Sequence, residues 1–314
     1  MTPPDAAVDR AADALGPLAR RQVPLGPLTT YRLGGPAALL VEAEDEASLA
    51  RVAVAVGASG LPTLVIGRGS NLLVADDGFP GIAVLMGAGL GEVVVQGTRV
   101  RAGGAASLPV VARRTAAAGL TGFEWAVGVP GSIGGAVRMN AGGHGSDMRA
   151  NLQSIHVVDL AAGEDGRVPV TRPASGLDLG FRSSSIRPSQ VVVEVELQLT
   201  EGDRTRAEAE ISEIVRWRRA NQPGGANAGS VFVNPEGDSA GRLVDQAGAK
   251  GLRMGTAAVS EKHANFIQCD PGGRAADVHA LMLEVARRVA GTSGVWLRPE
   301  TRLIGLDWPD GASQ

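Results

Sequence analysis

The sequence predicts an α+β protein. Strand candidates outnumber the helices that could connect parallel strands, and several follow one another at hairpin spacing, as in EVVVQGTRVRAGG around Gly97. The 314 residues are enough for two or three domains, and 44% of them are hydrophobic, which is enough to bury a core. We therefore expect mainly antiparallel sheets with helices packed against them, and not a doubly wound parallel sheet.

The first half of the chain predicts a β-α-β unit followed by further strands. Residues 46–58 have the spacing of an amphipathic helix, and the apolar runs LPTLVIG and NLLVADDGFPGIAVLM predict strands separated by turns. After the hairpin at Gly97, we expect a helix with Ser107 as its N-cap and Pro109 in its first turn. A glycine-rich block, residues 122–145, follows that helix.

The second half begins with more strands and then changes character. Three further strands are predicted, at residues 152–159, 166–170 and 191–199. From Glu201 to Arg219 the pattern becomes a charged helix whose apolar face consists of Ala207, Ile211, Ile214 and Val215. Two more helices are predicted beyond it, at 239–247 and 275–290, between strand-like segments. This change marks a boundary before a smaller α/β domain at residues 201–314.

Composition and charge exclude several classes of protein. The formal net charge is −3, without the basic field that nucleic acid would need, so no nucleic-acid role is expected. No apolar run reaches the roughly 18 residues of a membrane helix, and the N-terminus lacks the apolar core of a signal peptide. Cys269 is the single cysteine, so no intramolecular disulfide can form. These observations favour a cytoplasmic protein without membrane insertion.

Two glycine-rich turns are the strongest functional signal. One is the block at 122–145, GFEWAVGVPGSIGGAVRMNAGGHG, and the other is GRGSNLL at 67–73. Such turns let main-chain N–H groups approach phosphates or flat rings closely. A Rossmann fingerprint is not matched, because GRGSNLL lacks the third glycine and continues into a strand instead of a helix. GRGSN alone is equally well explained as a tight β-turn, whereas two turns together indicate one large anionic cofactor.

The series of motifs resembles a known family. GRGSNLL followed some sixty residues later by GVPGSIGGAVRMNAG resembles the FAD-binding domain of the p-cresol methylhydroxylase and vanillyl-alcohol oxidase superfamily. Within it, the chain is most similar to the UDP-N-acetylenolpyruvoylglucosamine reductase (MurB) family. The further motifs, in family order, are TTYRLGG (29–35), GFRSSSI (180–186), RRANQP (218–223), AGSVFVNP (228–235), VSEKHANFI (259–267) and LRPETRLIG (297–305).

The resemblance implies an organisation and an activity. Residues 1–200 would form the FAD-binding domain, in two lobes of about 20–85 and 86–200, and residues 201–314 the substrate domain. The enzyme would use NADPH and FAD to reduce UDP-N-acetylglucosamine enolpyruvate to UDP-N-acetylmuramate for peptidoglycan, and so would serve cell-wall synthesis, cell shape and division.

The same resemblance implies three catalytic residues. Arg182 matches the family's catalytic arginine, which holds the substrate carboxylate, and Glu300 matches the glutamate that acts on the same carboxylate. Glu300 would then be protonated or closely paired with Arg182, because two bare carboxylates repel. Ser230 matches the proton donor to the second carbon of the enolpyruvyl group. Considered alone, each residue is more often structural: Ser230 as a turn serine, Arg182 as a surface ion-pair residue and Glu300 as a strand-edge charge.

Cofactor and substrate contacts are implied in the same way. The predicted FAD ligands of the first turn are Gly67, Arg68, Gly69, Ser70 and Asn71. Those of the second turn are Gly128, Val129, Pro130, Gly131, Ser132, Ile133, Gly134, Gly135 and Ala136, with Asn140 at the flavin edge. GRGSN contains neither His nor Cys, so the FAD is expected to be noncovalent, although His144 leaves this open. Asn234 and Lys262 match positions near substrate phosphates or the nicotinamide nucleotide.

Metal binding is not expected, and two departures from the family are visible. None of His144, His156, His263 and His279 forms a ligand-spaced pair with another His, Cys or clustered carboxylate. Phe181 stands where the family usually has Tyr, so a hydroxyl contact is lost there. Tyr31 is the only tyrosine, so the chain resembles the compact branch that lacks a tyrosine-bearing loop over the substrate.

Two other functions remain open at this point. One is a flavin oxidase of the same superfamily, which would turn over without NADPH. The other is a non-catalytic paralogue that binds flavin or UDP-sugar. The preference between NADPH and NADH and the oligomeric state also remain open, with a monomer as one option.

Overall fold

A computed structural model describes residues 5–163 and 168–309. The chain forms two compact units. The first unit consists of Met1–Val23, Ala37–Arg68 and Pro80–Arg218. The second consists of Pro24–Pro36, Gly69–Phe79 and Arg219–Gln314. Two short N-terminal segments therefore belong to the unit that is built mainly from the last third of the chain.

Seven α-helices lie in the described residues. They are α1 (Asp5–Leu15), α2 (Glu46–Ser59), α3 (Leu108–Ala117), α4 (Ile133–Met139), α5 (Arg204–Asn221), α6 (Ala240–Gln246) and α7 (Ala275–Ser293). Helix α2 shows how local chemistry sets the bounds. The Asp45 carboxylate accepts the Ser48 N–H at 2.7 Å as an N-cap, and Gly60 ends the helix at φ +69°.

The strands of the described residues are mostly short. They are β1 (Arg20–Pro24), β2 (Pro36–Ala43), β3 (Thr63–Ile66), β4 (Leu72–Val74), β5 (Phe79–Met86), β6 (Val93–Gln96), β7 (Arg99–Gly103), β8 (Leu120–Thr121), β9 (Gly142–Gly143), β10 (Ser146–Asp147), β11 (Leu152–Asp159), β12 (Val170–Pro173), β13 (Gln190–Gln198), β14 (Thr200–Glu201), β15 (Arg253–Met254), β16 (Ala257–Val259), β17 (Ile267–Cys269) and β18 (Arg302–Ile304).

The first unit contains two larger sheets, each with its own core, and two two-stranded sheets, β10-β9 and β14-β8. A four-stranded sheet has the order β1-β2-β5-β3, with β3 parallel to β5, and a five-stranded antiparallel sheet has the order β12-β11-β13-β7-β6. One core packs α1 and α2 on the first sheet, around Leu39, Leu49 and Val52. The other surrounds Phe123 and Trp125, whose rings meet edge to face at 5.3 Å between centroids.

The second unit has one core of its own. It packs α6 and α7 against the antiparallel sheet β15-β16-β17, and β18 pairs in parallel with β4. Tyr31, from the TTYRLGG motif, is fully buried there and donates its hydroxyl to the carbonyl of Ile267 at 3.0 Å. Burial raises the pKa of Tyr31 far above its ordinary value, so the phenol stays neutral.

The α+β prediction is confirmed, and most elements with a strong local pattern lie where the sequence places them. The predicted strand at 152–159 is β11, and the apolar face of the 201–219 helix is buried in α5 at Ala207, Ile211 and Ile214. Ser107 does precede α3, but its side chain makes no capping hydrogen bond. Of the strand predicted at 166–170, residues 166 and 167 lie outside the described residues, and β12 begins at Val170.

The two units differ from the predicted domains in two ways. The division falls after Arg218, and not after residue 200. The reason is that Ala207, Ile211 and Ile214 of α5 contribute to the core around Phe123, which belongs to the first unit. Residues 24–36 and 69–79 also belong to the second unit, whereas the predicted domains were contiguous in sequence.

Within 5–163 and 168–309, none of the helices has both the length and the apolar character needed to cross a bilayer.

Candidate active site

The first glycine turn leaves β3 and enters β4. Gly69 has φ +58°, and a Cβ there would lie 2.0 Å from the carbonyl oxygen of Leu28, so only glycine fits without moving the backbone. The carbonyl of Gly69 accepts the N–H of Thr30 at 3.1 Å. The TTYRLGG motif therefore supports this turn. Arg68 is exposed, and Ser70 is half-buried.

Gly67, which opens the first predicted cofactor turn, lies against the second turn within the first unit. A Cβ on Gly67 would lie 2.2 Å from Oγ of Ser132, which is 3% exposed. Ser132 immediately precedes α4, whose first turn is IGG. The absence of a side chain at Gly67 therefore lets its backbone lie close to Ser132 of the second turn.

Part of the second turn is occupied by structural contacts. The N–H groups of Ile133 and Gly134 donate to the carbonyls of Ala106 and Gly104, both at 2.9 Å. The carbonyl of Gly131 accepts the N–H of Leu108 at 3.1 Å. These peptide groups hold the turn against the loop before α3. The exposed members of the turn are Pro130 and Gly135, while Gly128, Val129 and Gly134 are half-buried and Gly131, Ser132, Ile133 and Ala136 are buried.

The two turns fit a large anionic cofactor. Neither GRGSN nor GVPGSIGGA contains a carboxylate, and both offer hydroxyl, amide or main-chain N–H donors on a backbone with few side chains. A carboxylate in either turn would repel a pyrophosphate. The residues present therefore suit the phosphates and flat rings of FAD.

Ser230 lies on an extended segment of the second unit that is held from one side by Asn265. The side chain of Asn265 is 4% exposed. It accepts the N–H of Phe232 at 3.0 Å and donates to the carbonyl of Phe232 at 2.8 Å. The carbonyl of Asn265 accepts the N–H of Val231 at 2.9 Å. Three hydrogen bonds therefore fix the two residues that follow Ser230.

Glu300 lies on the other side of the same segment. Its N–H donates to the carbonyl of Val231 at 2.7 Å, and an antiparallel bridge joins Phe232 to Pro299. Ser230 is therefore one residue away from a backbone hydrogen bond to Glu300. Of the three predicted catalytic residues, the second unit brings these two into adjacent segments.

Asn71 extends this arrangement to the first glycine turn. Its side-chain amide donates to the carbonyl of Glu300 at 3.0 Å, and its own carbonyl accepts the N–H of Arg302 at 2.9 Å. The parallel pairing of Arg302 with Leu72 continues the contact into β18 and β4. The predicted cofactor residue Asn71 therefore borders the predicted catalytic residue Glu300.

Arg182 is carried by the first unit, at the tip of a four-residue turn from Gly180 to Ser183. It has φ +55°, although it is not glycine, and is half-buried. Its guanidinium donates to the carbonyl of Gly142 at 3.0 Å and lies 5.0 Å from the ring centroid of Phe181, which is 63% exposed. The ring at position 181 therefore supports the arginine through a cation–π contact that needs no hydroxyl.

Asn140 is more deeply engaged in the fold than a flavin-edge role requires. Its side chain is 2% exposed, and both of its amide protons are used, one to the carbonyl of Gly180 and one to the carboxylate of Asp147. This geometry favours a structural role for the side chain over the predicted flavin contact.

Asn234 and Lys262 are both exposed residues of the second unit. Asn234 accepts the N–H of Ala240 at 3.0 Å, at the start of α6. The ammonium of Lys262 donates to the carbonyl of Arg219 at 2.5 Å, in the last turn of α5, where a cation is favoured by the helix dipole. Both side chains thus have structural contacts in addition to their predicted ligand roles.

The histidines are placed in separate surroundings. His263 accepts the N–H of Asn265 at Nδ1 (3.2 Å), and burial lowers its pKa. His144 contacts Trp217 edge to face, and His279 lies 2.7 Å from the carbonyl oxygen of Asp307. Within the described residues, no group of three His, Cys, Asp or Glu side chains is arranged to hold a metal ion.

Asn265 and Thr30 support the candidate site, and the sequence did not single them out. Asn265 orders the segment after Ser230, and Thr30 holds the first glycine turn. Both stand inside quoted motifs, VSEKHANFI and TTYRLGG. The motifs therefore included both residues, but they did not indicate what either residue does.

Comparison with known proteins identifies the family. Residues 221–304 match the model of the UDP-N-acetylenolpyruvoylglucosamine reductase C-terminal domain, and residues 37–167 match that of an FAD binding domain. The chain is 42% identical to the UDP-N-acetylenolpyruvoylglucosamine reductase of Heliobacterium modesticaldum over 288 residues, which cover 91% of this chain and 90% of the relative. It is 41% identical to UDP-N-acetylenolpyruvoylglucosamine reductase 2 of Symbiobacterium thermophilum, covering 91% and 92%.

A solved structure gives the same result. The crystal structure of the reductase from Thermus caldophilus superimposes with a TM-score of 0.77 at 35% identity, covering 93% of this chain and 100% of that one. The resemblance predicted from the motifs is confirmed, and the chain belongs to the family of UDP-N-acetylenolpyruvoylglucosamine reductases.

Proposed function

We propose that this protein reduces UDP-N-acetylglucosamine enolpyruvate to UDP-N-acetylmuramate in peptidoglycan precursor synthesis, using FAD and NADPH in the cytoplasm. The observation that carries the proposal is a chain of hydrogen bonds in the second unit. It links Asn71 to Glu300, and Glu300 to Val231, the residue after Ser230. Family membership supports the same reaction.

The FAD would be held by the two glycine turns, without a covalent bond. The proposed residues are Gly67, Arg68, Gly69, Ser70 and Asn71 of the first turn and residues 128–136 of the second. When bound, FAD supplies the hydride that the substrate receives at its terminal carbon and is itself reduced by NADPH. The turns contribute donors and close backbone approach, and they contain no carboxylate that would oppose the phosphates.

Arg182 would bind the substrate carboxylate. Hydride addition to the terminal carbon leaves carbanion character at the second carbon, next to that carboxylate. A guanidinium on the carboxylate stabilises the enediolate form because it places a fixed positive charge where negative charge develops. The strained backbone of Arg182, with φ +55°, is typical of a residue held in place for a function.

Ser230 would then donate a proton to the second carbon, which completes the reduction. A serine hydroxyl is a weak acid, but a carbanion beside a carboxylate is basic enough to accept its proton. Glu300 would act on the same carboxylate and would have to be protonated or neutralised by a cation there. Hydrogen bonds from Asn265 and from the Glu300 N–H hold Val231 and Phe232. The backbone next to Ser230 is therefore fixed in position.

Lys262 and Asn234 would contact the phosphates of the substrate or of NADPH. Both are exposed in the second unit, and the Lys262 ammonium brings a positive charge that a diphosphate requires. These two assignments extend the proposal from the reacting end of the substrate to its nucleotide.

The proposal is tested by anaerobic mixing of the yellow holoenzyme, first with NADPH and then with UDP-N-acetylglucosamine enolpyruvate, while the flavin absorbance is followed. Bleaching in the first step and recovery only on addition of the enolpyruvyl substrate is the expected result. In a separate aerobic assay, turnover with oxygen in the absence of NADPH would indicate an oxidase. Bleaching without recovery by substrate would contradict the proposed reaction, and a protein that binds no FAD would contradict the cofactor assignment.

A further inference from the structure

The turn that carries Arg182 is tight and strained. Gly180 and Ser183 close its base with two backbone hydrogen bonds, of 3.1 Å from Gly180 N to Ser183 O and 3.4 Å from Ser183 N to Gly180 O. Arg182 occupies the third position of this turn with a positive φ, where glycine or asparagine is normally preferred. Such a conformation persists only where the surrounding structure holds it.

The side chain of Asn140 holds the base of this turn. The amide of Asn140 donates to the carbonyl of Gly180 at 2.9 Å and to the carboxylate of Asp147 at 3.1 Å, and its oxygen accepts the N–H of Arg149 at 3.0 Å. Asn140 is 2% exposed and ends α4 in the left-handed conformation, with φ +38°. Only a side chain with two donors and one acceptor satisfies all three groups.

Two further contacts join the same segments. The guanidinium of Arg182 donates to the carbonyl of Gly142, two residues after Asn140. The hydroxyl of Ser184 donates to the carbonyl of Arg138 at 2.8 Å, two residues before it. The segment 180–184 is therefore fastened to the segment 138–142 at three points, and Asn140 is the central one.

We propose that Asn140 is a positioning residue that fixes the Arg182 turn through the carbonyl of Gly180, so that the guanidinium is presented to the substrate carboxylate. This inference rests on the proposed role of Arg182. Asn140 would not touch the substrate. It determines where the guanidinium lies, and therefore acts on the step in which the carboxylate gains charge.

The first test deletes the amide without straining the backbone. Asn140→Gly keeps the left-handed conformation accessible and removes both donors. The expected result, in anaerobic stopped-flow measurements, is that reduction of the flavin by NADPH changes by less than about two-fold, while reoxidation by UDP-N-acetylglucosamine enolpyruvate slows about ten- to hundred-fold. If both half-reactions slow equally and FAD is lost, or if neither changes, the proposal is wrong.

The second test separates Gly180 from Asp147. In the double variant Asn140→Asp/Asp147→Asn, the amide and the carboxylate exchange places, so the 140–147 hydrogen bond can form in the reverse direction. The Gly180 carbonyl still lacks its donor. Because the net charge is conserved, this variant remains informative if Asn140→Gly does not fold. We expect the slow reoxidation to persist in the double variant, and its full recovery would show that Asn140 serves only the link to residue 147.

The third test asks whether Asn140 acts through Arg182. In an Arg182→Ala background, Asn140→Gly should have no further effect on reoxidation, because the group that it positions is gone. A further loss of similar size would indicate a general structural role and overturn the inference. If Arg182→Ala itself reoxidises at the rate of the unaltered protein, the proposed role of Arg182 fails. If Arg182→Ala is slow and Asn140→Gly is not, only the inference fails.

Discussion

The side-chain amide of Asn71 donates to the backbone carbonyl of Glu300, 229 residues further along the chain, at 3.0 Å. One of these residues belongs to the predicted cofactor turn, and the other is a predicted catalytic residue. The second contact, from the Arg302 N–H to the Asn71 carbonyl, makes the link two-sided. Asn71 and the segment Glu300–Arg302 are therefore joined by two hydrogen bonds, and a change at Asn71 should affect Glu300.

Removing the Asn71 amide should slow the step in which Glu300 acts. In Asn71→Ala the carbonyl of Glu300 loses a partner, at a cost of about 1 kcal/mol, and the segment before β18 is held less firmly. In Asn71→Asp a carboxylate faces that carbonyl, so the loss should be larger. We expect reoxidation by the enolpyruvyl substrate to fall in the order unaltered protein, Asn71→Ala, Asn71→Asp. Equal rates in protein fully loaded with FAD would show that Asn71 serves the cofactor alone.

Adding a methyl group at Gly67 should disrupt the close packing of Gly67 against Ser132. The Cβ of Gly67→Ala would lie 2.2 Å from Oγ of Ser132, and overpacking of this kind typically costs about 1–3 kcal/mol. The melting temperature and the FAD content of purified protein should both decrease. The double variant Gly67→Ala/Ser132→Gly removes the clash and should recover much of the melting temperature. Gly176→Ala is the matched control, because a Cβ there meets nothing within 4 Å.

The second unit should become less stable in mild acid because of His263. Burial, aided by the nearby charge of Lys250, lowers the pKa of this histidine below its ordinary value of 6.5. The unfolded chain therefore binds the proton first as the pH falls. The stability from neutral His263 is present above about pH 6.5 and is lost below it. Protonation at Nδ1 also breaks the hydrogen bond from the Asn265 N–H.

His263→Asn provides the comparison, since its Oδ1 can accept the same N–H and does not titrate. Between about pH 7.5 and about pH 5.5, the melting temperature of the unaltered protein should fall relative to that of His263→Asn. Parallel curves for the two proteins would mean that His263 does not contribute to the acid sensitivity.

The sequence predicted elements well where the signal is local. The apolar spacing of residues 46–58 and the alternation at 152–159 depend on neighbours within one helix or strand, and α2 and β11 agree with them to within one residue. Strand β4 shows the limit. The sequence predicts this strand after LPTLVIG but not its partner. It pairs with β18, because hydrogen bonds to a strand 230 residues away leave no trace in local spacing.

The candidate site shows the same difference between local patterns, which the sequence reveals, and long-range contacts, which it does not. Motifs indicated Ser230, Arg182 and Glu300, but not that Glu300 borders the Ser230 segment or that Asn265 clamps it. The family resemblance implies a flavin-edge position for Asn140. Its hydrogen bond to the carbonyl of Gly180, 40 residues away, depends on the tertiary fold and could not be inferred from that position.

The most direct test of the account is the proton-donor role of Ser230, measured as separate half-reactions of Ser230→Ala. Ser239→Ala is the matched control, because Ser239 caps α6 of the same unit through the Arg242 N–H. The account predicts that NADPH reduces the flavin of both variants at nearly the rate of the unaltered protein. Reoxidation by UDP-N-acetylglucosamine enolpyruvate should slow by several orders of magnitude, on the order of 10³-fold, in Ser230→Ala only. Equal slowing of both half-reactions in Ser230→Ala, or reoxidation at the unaltered rate, would contradict it.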